Sequence, residues 1–271
     1  MTLEPLDPAE TATPGTAATA RAAQVLLQFG RTSGPLGVSE IARALGMSKA
    51  VVHRILTTFV DAGLLLHDNS SRQYMLGPAA ATLGARAMDV SPLRRAAHDA
   101  LIELQRLTGE TATVSGRVPG GRVYLDQVES GREIKMTVEL GRRFPLHSGS
   151  SGQVILAYLT DPELDDELAR PLDRLTEDTV CDPEELREIV RKVRLRGTAR
   201  SSGQRQEGAG SIAAAIFGST GRVVGALSVC GPAYRMTEAF CDAHEPQLLA
   251  AARDVSHKLG WRDQERSDDS A

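Results

Sequence analysis

Four stretches of this chain carry residue types that can do chemistry. Gly149-Ser150-Ser151-Gly152 sets two hydroxyls in a run of small residues, the composition of a nucleophile turn or of a hydrogen-bonding turn. No strand-turn-helix with a paired histidine and acid accompanies it. The hydroxyls therefore read as donors to a carboxylate or carbonyl, aided by the N-terminus of the helix expected from Gln153 to Leu159. Gly208-Ala209-Gly210 has the residues of a dinucleotide loop, but it precedes a strand instead of joining strand to helix. Cys241 and His244 are spaced for one helical turn, where two metal ligands could meet; with no second pair in the sequence they read as packing residues. The fourth stretch offers recognition. On a helical wheel Ala50, Arg54 and Thr57 lie opposite Val52, Ile55, Leu56 and Phe59, with Lys49 and His53 flanking.

That polar side needs a rigid support, and the surrounding residues specify one. Between Val38 and Leu56, Ala42 is small enough for two helices to approach, Gly46 supplies the turn and Ser48 caps the second helix. Ala20 to Phe29 supplies a preceding helix ended by Gly30. Asp61-Ala62-Gly63 ends the recognition helix, after which Leu64–His67, the polar turn Asp68–Ser71 and Arg72–Leu76 read as a hairpin. Three helices and a hairpin make a winged helix-turn-helix over 20–77, with double-stranded DNA as the partner. Arg54 and Thr57 would meet bases or phosphates, Ser48 and Lys49 the backbone, His53 the flank, and Arg72 would reach from the wing.

Charge agrees with a chain that docks phosphates at one end only. Between residues 20 and 77 Arg21, Arg31, Arg43, Lys49, Arg54 and Arg72 outnumber Glu40, Asp61 and Asp68, although the whole chain carries −4. At 271 residues, 41% hydrophobic and 24% charged, the chain has material for two domains with their own cores. Residues 1–19, rich in Ala, Thr and Pro, lack the basic start and apolar core of a secretory signal and read as a disordered tail. No apolar run is long enough to cross a bilayer, and Cys181, Cys230 and Cys241 fit free thiols in a reducing cytoplasm.

Downstream, residues 78–90 form an Ala- and Leu-rich linker helix suited to pairing with a second copy of itself. Ser91 and Pro92 then open a helix with apolar residues from Leu93 to Leu107 at helical spacing. A hairpin (Thr111–Arg117, Arg122–Val128) follows, with Glu133–Leu140 alternating as a third strand. A charged helix runs from Asp182 to Arg194, a second hairpin joins Ser211–Phe217 to Arg222–Cys230, and a last helix runs from about Thr237 to Leu259. The fold class is α+β: a sensory domain over 91–260 around a central antiparallel sheet with one concave side, then a polar tail over 261–271.

This order resembles the IclR family of bacterial transcription regulators from about Ala20 to Leu259. The resemblance rests on Leu45-Gly-Met-Ser-Lys-Ala-Val-Val-His-Arg-Ile-Leu56, Tyr74-Met-Leu-Gly-Pro78, Pro145-Leu-His-Ser-Gly-Ser-Ser-Gly152 and Gly225-Ala-Leu-Ser-Val-Cys-Gly-Pro232. It implies a GAF-like effector domain, no cofactor, and dimers or tetramers on a roughly palindromic operator. Carried over residue by residue, it implies an effector pocket with Ser150 and Ser151 in the loop opening a helix, Ala215 on the inner strand, and Ser228 and Cys230 on the last strand. The family often has an acid between Gly197 and Gly208 where this chain has Gln204, so no relative's effector transfers directly. With apolar walls around Ile134, Met136 and Phe217, such a pocket would take a small organic or aromatic acid, and the chain would act as a repressor of catabolic or metabolic genes. An enzyme, or a thiol-based redox sensor using Cys230, is the competing class; it predicts turnover or oxidation where the regulator predicts DNA binding shifted by an unconsumed ligand.

Overall fold

A computed structural model describes residues 14–30, 32 and 34–262, which divide into two compact units between Val90 and Ser91. In the first unit helix α1 (Pro14–Gln28) starts on a proline, whose fixed φ suits a first helical turn, and continues through an alanine-rich run of high helix propensity. It therefore takes up the end of the segment expected to be a disordered tail; residues 1–13 of that tail lie outside the described residues. A short strand β1 (Leu36–Gly37) leads into α2 (Val38–Leu45) and α3 (Lys49–Asp61), followed by β2 (Leu65–Asp68) and β3 (Gln73–Leu76). The strands form an antiparallel sheet in the order β1-β3-β2.

The turn between α2 and α3 depends on Gly46, which sits in the left-handed region at φ 62° and ψ 29°. That conformation lets the Met47 N–H reach back to the Ala42 carbonyl at 3.0 Å, closing the helix end. Val25, Ile41, Val52, Leu56, Leu65 and Tyr74 form the core beneath. Helix α4 (Pro78–Asp89) ends this unit and buries none of its side chains; Leu83 is exposed.

The second unit opens with α5 (Pro92–Thr108), capped by the Ser91 hydroxyl and burying Leu93, Ala97, Leu101 and Leu104 along one stripe. Its sheet has six strands in the order β6-β5-β4-β9-β8-β7, antiparallel throughout: β4 (Thr111–Val118), β5 (Gly121–Val128), β6 (Arg143–Phe144), β7 (Thr198–Ser202), β8 (Ala209–Phe217) and β9 (Val223–Pro232). Alternation along the strands builds two cores. Val114, Ile212, Ile216 and Leu227 face α5 and α9 (Glu238–Lys258). Ala199, Ala213, Ala215 and Ala226 face α6 (Ser150–Ala157) and α8 (Pro183–Arg196). The small residues on that second face let α6 lie close to the sheet. A further short helix, α7 (Asp161–Leu168), begins with a capping box of Thr160 and Glu163.

Three sequence expectations change. Glu133–Leu140 is not a strand; apart from a single bridge between Leu140 and Tyr124, no ladder forms there. Side chains take the ladder's place: Gln127 binds both the N–H and the carbonyl of Val138 at 2.9 and 3.2 Å, while Thr111 and Arg235 donate to the carbonyls of Met136 and Ile134. Helix α6 starts at Ser150 instead of Gln153. The expected polar tail begins with Trp261, stacked on Phe217 at 5.5 Å between ring centres; residues 263–271 lie outside the described residues.

Candidate functional site

The first unit presents a polar helix face. Val52 and Leu56 are buried, which fixes the roll of α3 and leaves Lys49, His53, Arg54 and Thr57 exposed on its outer side. Ser48 accepts the Val51 N–H at 3.4 Å as the N-cap, so its own hydroxyl proton stays free to donate outward. The Thr57 hydroxyl donates to the His53 carbonyl at 3.0 Å and keeps its acceptor capacity. At the wing tip the Asp68 carboxylate accepts bonds from the Ser70 N–H and the hydroxyls of Ser70 and Ser71, at 2.9, 2.7 and 2.6 Å. These bonds, the Ser71 hydroxyl first, hold its carboxyl well below the usual range. The loop closes through Arg72, exposed and in the left-handed region at φ 56°.

The second unit has a polar cleft between the sheet and the start of α6. It brings together four of the expected residues, Ser150, Ser151, Ser228 and Cys230, from the first turn of α6 and from β9. Hydroxyls pair across it: Ser150 with Ser211 at 2.7 Å, Ser211 with Ser201 at 3.0 Å, and Ser228 with Thr113 at 2.8 Å. Helix α6 is seated because Gly152 has no Cβ, which would stand 2.4 Å from the Leu146 carbonyl oxygen.

Two expected members do not line this cleft. Ala215 shares a sheet face with Ser211 but lies farther along β8, inside the core beneath α6. Gln204 turns its amide oxygen to Gln153 at 2.7 Å. The expected apolar walls are elsewhere as well. Ile134 is exposed, Met136 offers its carbonyl to Thr111, and Phe217 packs against Tyr158 and Trp261.

What lines the cleft instead is cationic. Arg122 on β5 is only 1% exposed, and its guanidinium lies 4.6 Å from the Tyr124 ring centre and 5.5 Å from that of Phe144. Arg205 approaches the same two rings at 5.7 and 5.3 Å. Arg122 donates from Nη1 to Ser115 at 3.3 Å, while its Nε is buried without a partner. Among the described residues no carboxylate lines the cleft or pairs with either arginine. Glu110, whose charge reaches Cys230, is already bound by Arg235 and Arg132.

A β-bulge accounts for the missing acid. Arg122, Tyr124 and Asp126 alternate in sequence, so a regular strand would point all three the same way. The register shifts between Val114 and Ser115, which pair with Asp126 and Tyr124. Tyr124 thus stays with the cleft, while Asp126 turns to α5 and meets Arg94 and His98 at 3.3 and 3.2 Å. Sequence reasoning missed Arg122 and Arg205. The alternation of Arg122 with Tyr124 along one strand was the one available signal for Arg122; Arg205, in a loop, gave none.

Cys230 is buried. Burial pushes its thiol up to about 11 against the opposing pull of Arg205 and Arg122. A protonated, enclosed thiol is a poor nucleophile, which does not favour the redox-sensor alternative. Cys241 is buried on the inner side of α9, and His244 binds the Phe240 carbonyl at 2.8 Å. Among the described residues no cluster of three or more potential ligands could hold a metal ion, and no helix is long and apolar enough to cross a membrane.

Comparison with known proteins joins the two halves. Residues 18–69 match the IclR helix-turn-helix domain and residues 85–257 the family described as bacterial transcriptional regulator IclR C-terminal. The chain is 34% identical over 244 residues to the HTH-type transcriptional regulator BhcR of Paracoccus denitrificans (strain Pd 1222), covering 89% of this chain and 87% of that one. It is 34% identical over 248 residues to the glycerol operon regulatory protein of Streptomyces coelicolor, covering 89% and 95%. Among solved structures, the IclR transcriptional regulator of Alicyclobacillus acidocaldarius matches with a TM-score of 0.77 at 27% identity, over 92% of this chain and 100% of that one.

Proposed function

The chain belongs to the IclR family of bacterial transcriptional regulators, and from that premise we propose that it represses catabolic genes until a small organic acid enters the cleft of its second unit. The observation that carries this reading is Arg122: a buried guanidinium with an unpartnered Nε, at the N-terminus of α6, in a cleft with no acid among its described lining residues. Such a charge is costly unless an anion joins it, and the helix dipole adds to the attraction. Ser150, Ser151 and Ser228 supply hydroxyls beside it. Binding, not turnover, is the action, so the acid leaves unchanged.

On the DNA side, α3 enters the major groove. Arg54 and Thr57 address bases or phosphates, Lys49 and Ser48 hold the backbone, His53 flanks them, and Arg72 follows the wing. The protein acts as a homo-oligomer on a roughly palindromic operator, in the cytoplasm with the chromosome. Self-pairing through α4 is supported by a small-residue helix that buries none of its side chains. The effector must favour one arrangement of two heads over another, since a ligand shifts an equilibrium only by its differential affinity.

The test is fluorescence anisotropy of the full-length protein on the DNA upstream of its own gene, titrated with a panel of organic acids. Sequence-specific, salt-sensitive binding that an unconsumed acid reverses is expected. Binding no tighter than to random DNA, or chemical conversion of the acid, would overturn the reading.

A further inference from the structure

We infer that the molecule this cleft accepts carries two negative charges, met by Arg122 in its depth and by Arg205 near its mouth. This rests on the cleft being the effector site. A guanidinium presents its Nε and Nη2 hydrogens as a parallel fork that fits two oxygens of one carboxylate or phosphate. In Arg122 that edge is the one left without a partner. Its Nη1 is spent on Ser115, its Nε has no partner, and no described hydrogen bond involves its Nη2. Nη2 lies 4.0 Å from the point where a Cβ on Gly149, the N-cap of α6, would stand. The fork and the helix N-terminus thus converge, and one anionic group satisfies both.

That leaves Arg205. It has no carboxylate partner among the described residues, it is half-buried, and it lines the same cleft. Both guanidiniums lie within 5.7 Å of the Tyr124 ring centre, so one small molecule can span them. Asp126, the acid that could have neutralised this pair from β5, is diverted to α5 by the bulge, and Glu110 is committed to Arg235 and Arg132. A monocarboxylate held by Arg122 would leave the half-buried Arg205 beside it without a counter-charge. A compact dicarboxylate or a phosphate ester compensates both.

Calorimetry on the full-length protein in a zwitterionic buffer tests this with succinate, methyl phosphate and butyrate as probes of similar size. The dianions should bind about tenfold or more tighter than butyrate, the step expected of one extra charge-assisted pair. Succinate against methyl phosphate then separates a carboxylate source from a phosphate source. Arg205→Gln, at a half-buried position, should cut the preference to about threefold or less while butyrate still binds. Arg122→Gln, checked for folding by its thermal melt, should weaken all three probes. Butyrate binding as tightly as the dianions, or a preference untouched by Arg205→Gln, would overturn the two-charge inference and leave the organic-acid reading standing. If none of the probes binds, both fail.

Discussion

Two arginines show how little a residue type means without its surroundings. Arg54 stands in water on a helix whose apolar side is fixed in a core, so its charge is free to be spent on DNA. Arg122 has the same side chain held against two rings inside a sheet, where charge has value only to an incoming anion. Arg54→Ala should therefore weaken operator binding roughly 5- to 100-fold while the thermal melt stays that of the parent. Anisotropy titrations at several salt concentrations check this. Equal loss on all sequences with a shallower salt slope marks a phosphate contact, and loss confined to the operator marks a base contact. Unchanged affinity at physiological salt removes Arg54 from the interface.

Elements are fixed by a few backbone positions and by the groups that tie their ends. Gly46→Val forces a β-branched residue into the left-handed region and should destabilise the first unit by about 1–2 kcal/mol, with Gly46→Asn costing less because asparagine enters that region more readily. Thermal denaturation of both variants measures it. Helix α7 is held by Glu163, which accepts from Thr160 at its own start and from Arg117 and Arg222 at 3.0 and 2.8 Å. Burial alone would raise its carboxyl pKa, yet the Thr160 N–H, Arg117 and the Thr160 hydroxyl outweigh burial and hold it down at about 2. A depressed pKa means stability that is complete above the ordinary carboxylate value and is lost as pH falls toward the folded one. The melting temperatures of the parent and Glu163→Gln should accordingly differ most above about pH 5, draw together as the pH falls below about 4.5 and converge only near pH 2. A gap that stays constant across that range would assign the role of Glu163 to packing.

At the scale of the whole molecule, a regulator needs its two units to exchange free energy. Reciprocity then follows: if an acid in the cleft lowers operator affinity by some factor, operator DNA must lower affinity for that acid by the same factor. Calorimetry of the acid with and without saturating operator DNA gives one factor and anisotropy gives the other. Two factors that disagree would mean that the acid lowers operator affinity by a route other than binding to the protein, such as ionic strength. At about a hundred times its dissociation constant the acid should also stabilise the protein by about 2.7 kcal/mol.

The helix-turn-helix, the wing, the capped helices and most strands were legible in sequence because each is specified by neighbours along the chain. Gly46 must turn, Ser48 must cap, and Val52 and Leu56 must face inward wherever the segment is placed. Glu133–Leu140 had the alternation of a strand, but a strand also needs a partner edge, and Gln127, Thr111 and Arg235 had claimed the backbone groups that would have formed it. The cleft was legible only in part, through the small-residue start of α6 and the polar positions of β9. Its charge was decided by the register of the sheet, because one bulge between β4 and β5 sends Asp126 to one face and leaves Arg122 and Tyr124 on the other. Sequence by itself determined most of the elements that form and that one of them presents a polar face suited to DNA. Only the assembled sheet decided which charges share a cavity, since that depends on register between strands and not on spacing within them.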